Sequence, residues 1–236
     1  MIINKISRWL KYYSNNKKLI SARKTLIESL DSNPIPPLTK NLIKNTKVYK
    51  NRLSMLKNHL PNGSVCAEIG IAKGDFSKNI LTHKKPANLH LIELSSSFVK
   101  HCENRFKKEI SDGQVIIHNG SSHKILNQFE NQLFDWVYID GDHSYETVKK
   151  DLLISKNKIK PNGLIMLDDY VNFSHQEMLQ YGVMRAVNEF CIEHDFCVDG
   201  ITISEDIIKK ENIFNKVVEL NEYTNIVLKK MNNLNI

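Results

Sequence analysis

Residues 135–170 constrain the chain more than any other stretch. They read Asp-Trp-Val-Tyr-Ile-Asp-Gly-Asp-His-Ser-Tyr-Glu, then one helix-length segment, then Pro161-Asn162-Gly163 and Leu-Ile-Met-Leu-Asp-Asp-Tyr. Two apolar runs, 136–139 and 164–167, each end in carboxylates. The pattern is strand, helix, strand, with the helix closed by Pro161–Gly163. In an open parallel sheet, ligands bind at the carboxyl ends of the strands. Asp140, Asp142, Asp168 and Asp169 then converge on one crevice. Converging carboxylates repel unless a cation or a proton intervenes, so this edge calls for a divalent metal or a cationic cofactor.

The rest of the chain extends that unit. After Pro61-Asn62-Gly63, apolar runs at 65–71, 89–94 and 114–118 alternate with helical patterns at 76–81 and 98–109. A further helix is expected at 184–194 and two closing strands at 196–204 and 224–229. Strands alternating with helices predict an α/β, doubly wound, Rossmann-like sheet, mostly parallel with an antiparallel last strand. Before it, apolar positions at helical spacing over 3–30, a stiff linker at 32–37 and a helical stretch at 39–60 predict N-terminal helices. The expected organisation is therefore an extension over 1–60 and a domain over 61–236.

Charge follows the same division. Residues 1–60 hold thirteen lysines and arginines against two acids, Glu28 and Asp31, although the whole chain is only +7. A spread of lysines reads first as a solvated helical face, and second as a surface for nucleic acid, anionic lipid or a phosphorylated substrate. No stretch approaches the roughly 20 apolar residues of a membrane span. Cys66, Cys102, Cys191 and Cys197 show no zinc spacing, which predicts reduced thiols and a cytoplasmic protein.

The first strand-to-helix turn reads Glu68-Ile-Gly70-Ile-Ala-Lys-Gly74-Asp75. Gly70 allows a tight turn, and Gly74 allows close approach of backbone or ligand. Glu93 ends the next strand, at the spacing where an acid takes ribose hydroxyls. The spacing is not GxGxxG, and Asp75 would repel a pyrophosphate at the helix N-terminus. A nucleoside cofactor with positive charge and no phosphate fits better, and S-adenosylmethionine is such a molecule.

On these residues the chain resembles class I S-adenosylmethionine-dependent methyltransferases over about 63–230. Glu68–Gly74 resembles the first motif, Glu93 the acidic second-strand residue, and His118-Asn-Gly-Ser-Ser122-His123 the adenine loop. Residues 138–145 and 167–170 resemble the small-molecule O-methyltransferase branch, which includes macrolide-sugar enzymes and, more distantly, catechol O-methyltransferase. The resemblance implies that Glu68 and Gly70 hold the methionine ammonium group and Glu93 the ribose. It implies that Ser122 and His123 border adenine, with Gly74 and Asp140 also lining the cofactor. It implies a divalent metal, such as Mg²⁺, on Asp140, Asp168 and Asp169.

The expected reaction is metal-assisted O-methylation of a small hydroxylated metabolite, such as a sugar or a sugar-containing product. His143 and His175 are the candidate general bases, and Asp140 completes the catalytic set. Phe173, Met178 and Tyr181 are candidates for an apolar acceptor wall. Asp140 and Asp142 have a rival role in capping the helix that begins near Ser144. The alternatives are a nucleic-acid methyltransferase using the basic N-terminal segment, and a non-catalytic nucleoside-binding protein of the same fold. Against the first, the chain lacks an Asn/Asp-Pro-Pro-aromatic motif. Residues 1–60 are expected to act as a lid or a homodimer contact.

Overall fold

The computed structural model describes residues 34–174, 179–203 and 224–231, together with four helical positions at 21, 24, 25 and 28. One sheet is built from β1 (Lys47–Tyr49), β2 (Val65–Ile69), β3 (Asn88–Glu93), β4 (Val115–Asn119), β5 (Phe134–Ile139), β6 (Ile159–Leu167), β9 (Phe196–Thr202) and β10 (Ile226–Lys230). Its order is β1-β9-β10-β6-β5-β2-β3-β4. Strand β10 runs antiparallel to both neighbours, and every other pairing in this sheet is parallel. A short antiparallel pair, β7 (Phe173–Ser174) and β8 (Leu179–Gln180), stands apart from it.

The chain goes from β2 outward through β3 and β4, then returns to β5 on the other side of β2. That reversal opens a crevice at the carboxyl ends of β2 and β5. The helices that cross between the strands are α3 (Asp75–Lys84), α4 (Ser96–Arg105), α5 (Lys107–Ser111), α6 (Ser122–Gln128), α7 (Tyr145–Lys158) and α8 (Val183–Glu193).

Strand β5 shows why the sheet is covered on both faces. Trp136 and Tyr138 are fully buried on one face, against Phe76, Ile80, Met55 and Leu56. Val137 and Ile139 are buried on the other, against Val148, Leu152 and Val187. Neither face alternates with polar residues, as expected of a central parallel strand. Each such side chain contributes about 1.5–3 kcal/mol by leaving water. The polar atom of Trp136 is satisfied, because Nε1 donates to Ser64 Oγ at 2.8 Å.

Three expectations change. The stretch 39–60 is not one helix but α1 (Lys40–Ile43), strand β1 and α2 (Arg52–His59). The cause is tertiary: Val48 and Tyr49 pair in parallel with Ile201 and Thr202, and Thr46 Oγ1 donates to Val198 O at 2.9 Å. Residues 40–60 therefore extend the sheet and its core, with Met55, Leu56 and Leu60 buried. Helix α7 ends at Lys158, and Pro161–Gly163 lie within β6, where the register against β5 shifts between Phe134 and Trp136. The helix expected over 98–109 divides at Phe106, whose φ of −109° and ψ of 27° are not helical. The helices expected over 3–30 lie outside the described residues, apart from the four positions named. Among the described residues, no helix is long and apolar enough to cross a membrane.

Candidate active site

The turn after β2 is held by close packing. Gly70 has φ +79°, and a Cβ there would meet the Asp140 carbonyl oxygen at 2.0 Å. Only glycine lets the ends of β2 and β5 approach so closely. Gly74 has φ +78° at the start of α3, and a Cβ there would meet the Phe106 ring at 2.7 Å. Beyond the strand ends, Asp140 N donates to Ile69 O at 2.8 Å and Asp168 N donates to Ile139 O at 3.0 Å. These bonds carry the ladder into the acidic residues and set them side by side.

A cleft of about 740 Å³ opens over this edge. Glu68, Gly70, Gly74's neighbour Asp75, Glu93, Ser122, His123 and Asp140 face it or adjoin it. Glu93 is tightly oriented: Oε2 accepts from Ile71 N at 3.1 Å and Ala72 N at 3.2 Å, and Oε1 accepts from Ser95 N at 2.8 Å. Glu68 is 1 % exposed and accepts from Ser77 Oγ at 2.6 Å. Burial pushes its carboxyl up to about 8, against the opposing pull of Ser77. Asp75 pairs with Arg105 at 2.7 Å on the outside of the turn.

Arg52, at the start of α2, enters the acidic end of the cleft. Its Nη1 donates to Tyr138 Oη at 2.7 Å, to Asp168 Oδ2 at 2.7 Å and to Asp140 Oδ2 at 3.3 Å. Its guanidinium lies 4.4 Å from the Phe76 ring centre, a cation–π arrangement. Burial works against the Arg52 charge, but Tyr138, Asp168 and Asp140 outweigh it and raise its pKa. Asp168 is buried, which raises its carboxyl, and the negative charge of Asp140 adds to that rise. Tyr138 Oη also donates to Asp140 Oδ2 at 3.2 Å.

The expected acids divide accordingly. Among the described residues, ligand atoms of Asp140, His143 and Asp169 lie within 4.8 Å of one another. His143 Nε2 is 3.3 Å from Asp169 Oδ2 and 3.8 Å from Asp140 Oδ1. Its ring stacks on buried Tyr181, with centroids 4.4 Å apart. Asp168 is turned toward Arg52 instead. Asp142 Oδ1 accepts from Ser144 N at 2.7 Å, and that bond lowers its pKa. Asp142 thus shapes the loop before α7 without capping it, because the bond goes to the N–H of Ser144, the N-cap residue, and not to an amide of the first turn. His175 and Met178, and the side chain of Phe173, lie outside what the structure describes.

Arg52 and Asp151 line the cleft outside every motif of the sequence, and Tyr138 lies buried beneath its acidic end. Arg52 lies 88 positions from Asp140 and joins it only through the fold. Tyr138 resembles any aromatic in a core strand. Asp151 is different: it follows Val148 and precedes Leu152 and Ser155 on the buried face of α7. An acid on an apolar helical stripe is a signal that the sequence itself carries.

Residues 67–170 match the model of a family described as a methyltransferase domain. No curated protein sequence matches the chain. Among solved structures, the chain is similar to a B. subtilis tRNA methyltransferase, with TM-score 0.52 and 13% identity, over 78% of this chain and 67% of that one. It is similar to an S-adenosylmethionine-dependent methyltransferase from Mesorhizobium loti, with TM-score 0.52 and 11% identity, over 75% and 96%. It is also similar to the geranyl diphosphate C-methyltransferase of Streptomyces coelicolor A3(2), with TM-score 0.53 and 11% identity, over 75% and 76%. At such identities the likeness is one of fold, which is the Rossmann-like methyltransferase fold.

Proposed function

We propose that the chain transfers a methyl group from S-adenosylmethionine to a hydroxyl of a small metabolite, such as a sugar or a sugar-containing product. The observation that carries this reading is the continuity of one cleft. It runs from Glu93 and the buried Glu68 to Asp140, which sits beside His143 and Asp169. Glu93 takes the ribose hydroxyls, Glu68 and Gly70 the methionine ammonium group, and Ser122 and His123 border the base.

Methyl transfer is an in-line displacement: an oxygen–carbon bond forms as the carbon–sulfur bond breaks. The sulfonium leaves as a neutral thioether, and the hydroxyl proton goes to a base. His143 is the base in this reading, because Asp169 at 3.3 Å favours its charged form after proton uptake. Alignment of the three reacting atoms supplies several kcal/mol of the barrier lowering.

A divalent cation would fit this chain among Asp140, His143 and Asp169, and a His143 ring held by the ion would not be the base, so the two roles of His143 are alternatives that chelation separates. Bound there, a cation would gather substrate oxygens and ease loss of the hydroxyl proton. Asp168, in the expected set, is paired with Arg52 at 2.7 Å.

Calorimetry with S-adenosylmethionine, with and without Mg²⁺, tests the reading. Binding in either condition supports it, and no binding to folded protein in both conditions refutes it. Asp169→Asn should abolish turnover and spare cofactor binding. Activity that persists in chelator, with a rate that rises as an imidazole titrates, identifies His143 as base alone. Loss of activity in chelator identifies the cation site.

A further inference from the structure

Strand β1 forms one edge of the sheet, and it lies in sequence between the short helices α1 and α2. Between Asp31 and Glu68 the sequence holds no acid. Over α1, β1 and α2, Lys40, Lys44, Lys47, Lys50 and Lys57 are all exposed. The one acid of the neighbouring strand β9, Asp199, is engaged within the fold. Its Oδ2 lies 2.9 Å from His59 Nε2, and that hydrogen bond lowers its pKa. The edge therefore presents positive charge with little to offset it.

Apolar side chains stand among these lysines. Ile43 is 43% exposed and Val48 is 54% exposed. They flank the turn between α1 and β1, where Thr46 N donates to Ile43 O at 3.1 Å. Leu53, in the first turn of α2, is exposed as well. Over residues 34–60 no aromatic ring is fully exposed. Tyr49 is partly buried, with its hydroxyl 2.9 Å from His59 Nδ1.

Three kinds of partner suit a basic edge. A second copy would extend the sheet by strand pairing, but short edge strands bearing lysine resist that pairing, and two such edges repel each other. A single-stranded nucleic acid gains from aromatic platforms on which its bases stack, and the exposed apolar groups here are aliphatic. An anionic lipid surface draws lysines to its headgroups and takes aliphatic side chains into the interface. Both requirements are met at this edge.

We infer that the edge formed by α1, β1 and α2 docks on an anionic lipid surface, with the lysines on the headgroups and Ile43 and Val48 at the acyl boundary. Arg52 follows Lys50 by two positions and lines the cleft, so the docked edge adjoins the cleft wall. Docking of this kind does not depend on cofactor binding, and the two are measured separately.

The test is co-sedimentation of the full chain with vesicles of phosphatidylcholine alone and of equal parts phosphatidylcholine and phosphatidylglycerol. The protein should sediment with the anionic vesicles and not with the neutral ones. Raising salt from about 0.05 M to about 0.5 M should release it. Lys44→Glu with Lys47→Glu should weaken partition by about twentyfold or more, since each lysine near an anionic surface contributes about fivefold. Lys40→Glu with Lys44→Glu, which leaves β1 untouched, should give a similar loss. Ile43→Ser with Val48→Ser should weaken partition by about tenfold. All three double variants should unfold cooperatively near the wild-type temperature. Equal binding to both vesicles, binding to neither, or anionic binding that survives both lysine variants overturns the inference. So does a dimer that Val48→Asp dissolves while vesicles stay unbound, or an RNA gel shift that the lysine variants abolish while vesicles stay unbound.

Discussion

Arg52 Nη1 donates to Asp168 Oδ2 at 2.7 Å, across 116 positions of sequence. The contact ties helix α2 to the end of strand β6, where two acids would otherwise face each other. It makes residues just before the first βα turn part of the acidic site. Arg52→Met should therefore leave Asp168 buried beside Asp140 without its cationic partner, with only Asp169 N donating to its Oδ1 at 3.0 Å. Breaking a buried pair from one side costs about 3–5 kcal/mol. Arg52 is 34% exposed in its side chain, so the lower end of that range applies. Urea unfolding should show the loss, and Asp168→Asn added to Arg52→Met should recover much of it. Additive losses in the double variant would contradict the pairing.

Gly70→Ala should be among the most damaging single-methyl changes in the chain. The new Cβ would lie 2.0 Å from the Asp140 carbonyl oxygen, and the residue would keep a φ of +79°. Strained backbone alone costs about 1–3 kcal/mol, and relief of the clash must push β2 and β5 apart. Thermal unfolding should show a loss of about 3 kcal/mol or more. Gly113→Ala makes a control, since that glycine has φ +74° with nothing within 4 Å of an added Cβ. A Gly70→Ala protein no less stable than Gly113→Ala would contradict the close approach.

Glu68 should make stability fall as pH rises. Burial raises its folded-state carboxyl to about 8, against about 4.3 in an unfolded chain. Between those values the folded state holds a proton that the unfolded state has lost. The resulting stability is full below about pH 4.3 and is lost as pH rises through about 8. Glu68→Gln removes that dependence. The stability difference between wild type and Glu68→Gln, followed by urea unfolding from about pH 5 to about pH 9, should move against the wild type by more than about 2 kcal/mol. A difference that stays flat would show that Glu68 is ionised when buried. An incoming ammonium group reverses the burial effect, so cofactor affinity should strengthen over the same range.

What was legible in the sequence depended on how local its cause was. The β2 turn and the acid at the end of β3 follow from spacing within a few residues, and both were readable. So was β10 as an antiparallel last strand, whereas its insertion between β6 and β9 was not. Strand β1 was not readable. Its few residues take strand geometry only because Gly200–Thr202 lies beside them. Arg52 was hidden for the same reason, since nothing near it in sequence announces an acidic partner. The division of labour among Asp140, Asp142, Asp168 and Asp169 was also out of reach. It depends on which acid Arg52 and Ser144 N engage, and four carboxylates at two strand ends look alike in a string of letters.

Glu93 carries a double duty that a single variant can separate. Its carboxylate binds three backbone amides, those of Ile71, Ala72 and Ser95, and so holds the β2 turn against the start of α4. In the proposed function it also takes the ribose hydroxyls. Glu93→Ala removes both roles, and hydrogen bonds to a charged group contribute about 1.5–3 kcal/mol each at most. A loss of about 2 kcal/mol in stability and more than tenfold in S-adenosylhomocysteine affinity is expected. Glu93→Gln keeps one acceptor oxygen for the amides, so it should recover part of the stability. Its amide also offers only one acceptor where the ribose needs the charged pair, so affinity should recover less. Calorimetry and thermal unfolding on the two variants give the comparison. Affinity that recovers in step with stability would mean that Glu93 acts through the turn alone, and that the ribose lies elsewhere.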